Sequence, residues 1–124
     1  MTMSKKEKIA YSAIQLLESK GYKNIKADLP DFEHPTKFIE KESEQAYAPD
    51  LTGQTLLGKD YFEIVDSKDR DENNVISRWK LFSNIARLKN GKFFLLVTHG
   101  YNAYVQKILK SYDIDANVLK LANR

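Results

Sequence analysis

Cysteine is absent from all 124 residues, which removes disulfides, thiolate metal sites and thiol catalysis. Carboxylate, imidazole, hydroxyl and amine chemistry remain. No apolar run approaches the ~20 residues a helix needs to span a bilayer, and the N-terminal stretch MTMSKKEK lacks the apolar core of a signal peptide. The chain therefore reads as a cytoplasmic protein with no membrane partner. Histidine is scarce, and His34 and His99 are too isolated to suggest a metal pair or a catalytic dyad. The glycines are few, and GKFFLL carries no phosphate-loop pattern, so nucleotide binding has no support.

What is present fits a folded domain. A hydrophobic share of 42% and a charged share of 30% argue against disorder. At this length, residues 1–124 read as a single domain able to bury a core without staples. The formal net charge of +3 tilts mildly toward a polyanionic partner. A homodimer is left open.

The order of elements can be read along the chain. Ser4 with Glu7 three residues on forms a capping box, Ile9, Ala13, Leu16 and Leu17 recur at helical spacing, and Gly21 suits the helix C-cap. YKNIKADL reads as a short strand stopped by Pro30. The charged stretch from 30 to 46 reads as a long connection with a strand over 37–39. APDLTG and DYFEIVDS read as antiparallel neighbours turning near 57–60. From Asn73 or Asn74 an amphipathic helix places Val75, Trp79, Phe82 and Ala86 on one face and Ser77, Lys80, Asn84 and Arg87 on the other, with Gly91 as its stop. KFFLLVTHG is a continuous apolar run suited to a central strand. A second amphipathic helix follows through Tyr104, Val105, Ile108 and Leu109, and IDANVLKLA reads as a weak last strand.

Two acids stand where a buried strand would not choose them. Asp50 follows Pro49, and Glu63 lies between Phe62 and Ile64. With the order of elements, these residues resemble the PD-(D/E)XK nuclease superfamily, whose signature is Pro-Asp on one strand and (Asp/Glu)-x-Lys on the next. The resemblance implies an α/β (α+β) fold with a restriction-endonuclease-like three-layer core, a mixed sheet flanked by helices. It also implies magnesium held by Asp50 and Glu63, DNA as the partner, and endonuclease-like phosphodiester hydrolysis. Glu7 on the first helix looks like the further acid that some members carry there.

The chain departs from that signature at one position. Val65 stands where the family has lysine, on the same strand face as Glu63. Arg78, Lys80 or Lys68 could supply a displaced basic group, although the phase of the second helix turns Lys80 away from the sheet. The alternative is a non-catalytic relative that serves as a nucleic-acid or protein interaction module. Plainer readings stand beside each residue: Asp50 as a turn or strand cap, Glu63 on a solvated sheet face, and Glu7 as a helix cap.

Overall fold

The computed structural model describes residues 3–121. Helix α1, Lys5–Ser19, is opened by the expected capping box: Ser4 Oγ accepts from Glu7 N–H, and the Glu7 carboxylate accepts from Ser4 N–H. It closes at Gly21, whose φ of 90° suits glycine. Its buried stripe is Ala10, Ala13, Ile14 and Leu17. Ala13 and Leu17 are on it as expected, whereas Ala10 and Ile14 take the buried positions expected of Ile9 and Leu16, which are half-buried.

The main sheet has five strands in the order β1 (Lys23–Ala27), β4 (Leu51–Gln54), β5 (Lys59–Val65), β6 (Phe93–Val97) and β7 (Asn117–Lys120). β1, β4 and β5 pair antiparallel, while β5, β6 and β7 run parallel, so the sheet is mixed. The hairpin turn between β4 and β5 occupies 55–58, closed by Thr55 N–H donating to the Gly58 carbonyl. That is slightly earlier than the sequence suggests. The parallel crossovers are α2 (Glu72–Leu88) and α3 (Asn102–Ser111). α2 starts just ahead of its expected position because Asp71 caps it, accepting from Asn74 N–H.

Alternation along β5 and β6 divides the core into two layers. Tyr61, Val65, Phe93, Leu95 and Val97 pack against α2 and α3, with Trp79, Phe82 and Ile108 among their partners. Phe62, Ile64 and Leu96 pack against Ala10, Ala13 and Leu17 of α1 on the other side. The fold is thus α+β, with a mixed sheet between helical layers. β6 is the inner strand expected of its apolar run, hydrogen-bonded on both edges.

Two features brace this arrangement. At the end of α2 the left-handed residue is Asn90, with φ of 57°. Gly91 is required for a different reason: a Cβ there would collide with the Lys59 carbonyl oxygen. The long connection forms a small separate sheet of β2 (Phe38–Ile39) and β3 (Ala46–Tyr47). Its Tyr47 is buried in the α2 and α3 layer. No helix among the described residues is long and apolar enough to cross a membrane.

Candidate functional site

β4 and β5 pair as Leu51↔Phe62 and Thr52↔Tyr61. Asp50 immediately precedes Leu51 at the start of β4, and Glu63 follows Phe62 on β5, so both flank the Leu51↔Phe62 pair at the same end of the hairpin. Both residues line a cavity of about 620 Å³ at the carboxyl ends of the parallel strands, closed by the loop from Asp66 to Arg70 and by Arg78, Trp79 and Tyr104. The hairpin register therefore brings the two singled-out acids together.

Glu63 is only 6% exposed, and its side chain points to the α2 layer. Arg78 Nε donates to both of its oxygens, at 2.9 and 3.1 Å, and Trp79 Nε1 donates to Oε2. Burial pushes the Glu63 carboxyl above the usual carboxylate range; the Asp50 charge adds to that, while Arg78 and Trp79 oppose it. Arg78 is itself braced. Its Nη1 donates to Asn74 Oδ1 at 2.6 Å, and Asn74 Nδ2 donates to Gln45 Oε1 and Tyr47 Oη, both at 3.1 Å. The small β2–β3 sheet thus holds Asn74, and through it the guanidinium.

Asp50 is fixed from two other directions. Its Oδ2 accepts from Ile64 N–H at 2.8 Å, and its Oδ1 meets Lys6 Nζ at 3.0 Å. Burial works to lower the Lys6 ammonium, but Asp50, with Glu63 and Asp66 behind it, outweighs that, and Lys6 ends above the ordinary lysine value. All four oxygens of the two carboxylates are therefore engaged by donors of the protein itself. Two of those donors are cations, one from α1 and one from α2.

The other candidates are distributed unevenly. Lys68 lines the same cavity, with its Nζ 6.0 Å from the centre of the Tyr104 ring. Val65 is on its wall, on the Glu63 side of the sheet. Lys80 is exposed and lies outside the cavity. Glu7 lines a neighbouring cavity of about 400 Å³ that shares Lys6, Asp50 and Ile64, and its carboxylate bonds the Ser4 N–H. Sequence reasoning passed over Lys6, yet a signal for it exists: it sits one helical turn before Ala10 on the stripe that continues through Ala13 and Leu17.

Magnesium prefers near-octahedral oxygen coordination, keeping several waters beside one or two carboxylates. The side chains as arranged do not fit it. An ion here would have to displace Lys6 from Asp50 and Arg78 from Glu63. Among the described residues no group of three or more His, Cys, Asp or Glu side chains could hold a metal.

Comparison with known protein families, curated proteins and solved structures finds no match to this chain.

Proposed function

We propose that this chain is a nuclease-like domain of the PD-(D/E)XK type that binds the phosphate backbone of DNA through cations held by its two motif acids, without cutting it. The observation that carries the reading is the full engagement of the Asp50 and Glu63 oxygens by Lys6, Arg78, Trp79 and the Ile64 amide. Held in this way, the carboxylates serve to position cations. Lys6 uses one of its three donors on Asp50 and keeps the others for a ligand. Arg78 commits Nε and Nη1 and keeps Nη2. Lys68 and Arg70 line the same cavity, their charges offset by Asp66 and Asp69 of the same loop. Such contacts bind phosphate irrespective of base sequence. Val65 leaves the strand without the lysine that the resemblance assigns to aiming water, which weighs against turnover.

A second reading has one observation in its favour. Asp50 immediately precedes β4, Glu63 lies on the neighbouring β5, and both line one cavity. In a Mg-dependent endonuclease-like phosphodiesterase, Arg78 would stand in for the missing lysine.

Incubating the purified protein with labelled single-stranded, duplex and branched DNA, with and without Mg²⁺ or Mn²⁺, separates the two. Retention of DNA without cleavage is the expected result. Metal-dependent cleavage that disappears in both Asp50→Ala and Glu63→Ala would establish the second reading instead.

A further inference from the structure

The carboxylate cavity has a neighbour on each side along the same end of the sheet. Toward β1 lies the cavity of about 400 Å³ that shares Lys6 and Asp50, where Asp28 N–H donates to the Asp50 carbonyl and His34 closes the wall. Toward β7 lies a third cavity, of about 590 Å³, at the ends of β6 and β7. It shares no residue with the carboxylate cavity, but only the end of one strand pair separates them. Thr98 N–H and Thr98 Oγ1 both donate to the Val65 carbonyl, and the consecutive Ala103 and Tyr104 line one cavity each.

The third cavity has the chemistry of an anion site. His99 and the Lys120 ammonium line it. Asn102 Oδ1, on the same wall, is buried and has no hydrogen-bond partner among the described residues. A half-turn of that amide presents N–H donors from the same place. Behind it the first turn of α3 has no acidic residue and no side-chain cap. Among the described residues no Asp or Glu lines this cavity, in contrast to the middle one.

We infer that the three cavities form one trough across the carboxyl end of the sheet, and that the third, with Lys120, His99 and Asn102, binds a second backbone phosphate of the DNA strand held at the carboxylate cavity. At ~4.8 Å per strand the five strand ends span about 19 Å, and β5 and β7 lie about 10 Å apart. The DNA strand then crosses the strand ends from β1 to β7 and does not enter a single hole.

This inference rests on the DNA-binding reading above, and the test separates the two. Binding of a fluorescein-labelled 12-nucleotide single strand and of a 20-base-pair duplex is followed by anisotropy across a salt series. The proteins compared are wild type, Lys120→Ala, His99→Ala with Asn102→Ala, and Lys110→Ala at the far end of α3. Lys120→Ala should weaken binding and reduce the salt slope by about 0.7 on the single strand and about 0.9 on the duplex, one phosphate contact in each case. The His99 and Asn102 pair of changes should weaken binding as well, while Lys110→Ala matches wild type. Wild type that binds DNA while all the variants keep its affinity and slope would overturn the second phosphate site and leave the carboxylate-cavity reading standing. Wild type that binds neither probe would overturn both.

Discussion

Asp50 and Glu63 line one cavity at the open end of the β4–β5 hairpin, and each is met by a cation from a different helix: Lys6 of α1 on Asp50, Arg78 of α2 on Glu63. The acids that would hold a metal in an active nuclease hold the protein's own basic groups here. They also tie both helical layers to the sheet at one point.

The Glu63–Arg78 pair should behave as a buried ion pair, costly to break from one side. Glu63→Ala strands Arg78 and the Trp79 indole N–H and should cost about 3 kcal/mol or more. Glu63→Gln keeps the shape and one acceptor oxygen but leaves the Arg78 charge without its counter-charge, so it should also destabilise, by less than Glu63→Ala. Urea unfolding of the two variants measures the difference. Equal losses would show that the charge carries the interaction and the retained shape and acceptor do not.

The same pair sets a pH dependence. Because the folded Glu63 carboxyl lies above its ordinary value of 4.5, the native state retains a proton that the unfolded chain has already released. Its contribution to stability therefore falls as pH rises from that value through the raised one. Lys6 acts in the alkaline range: raised above 10.5, it contributes stability below that value and loses it as pH climbs through the folded value. Thermal midpoints across pH should show Glu63→Gln flattening the acid-side change and Lys6→Met flattening the alkaline one. Profiles parallel to wild type would argue against both shifts.

Gly91 offers a test of the packing that fixes the hairpin against α2. Gly91→Ala drives a methyl into the Lys59 carbonyl and should destabilise by more than about 2 kcal/mol. Gly21→Ala meets nothing within 4 Å and faces only its left-handed φ, so about 1 kcal/mol is expected. A Gly91→Ala midpoint indistinguishable from that of Gly21→Ala would mean that the backbone yields there.

Asn74 acts on the site only through Arg78. Asn74→Ala should weaken DNA binding while leaving the fold intact, and Asn74→Asp, which keeps an acceptor for Nη1, should restore part of it. If Asn74→Asp binds no better than Asn74→Ala, the brace is not what positions the guanidinium.

Much of this was legible in the sequence because period-two and helical patterns are strong where residues are buried. The capping box at Ser4, the stripe of α2 and the inner strand β6 all follow from such patterns. The placing of Asp50 and Glu63 at the same end of the hairpin follows from its symmetry once the turn is placed at 55–58. Lys6 was hidden because a lysine on an otherwise apolar stripe looks like the solvated end of a helix; only the position of Asp50 gives it a partner. The β2–β3 sheet was hidden because two-residue strands have no period to read, although 37–39 was expected to be extended. Asn74 and Gln45 were invisible for the same reason, since their bond joins residues 29 apart in sequence.

Calorimetric titration of the wild-type protein with MnCl₂, repeated with MgCl₂, tests the central claim most directly. With Lys6 and Arg78 holding the carboxylates, no saturable heat is expected at millimolar metal, and DNA binding should persist in EDTA. Stoichiometric metal binding that is lost in Asp50→Asn would contradict it and return the site to a metal-dependent chemistry.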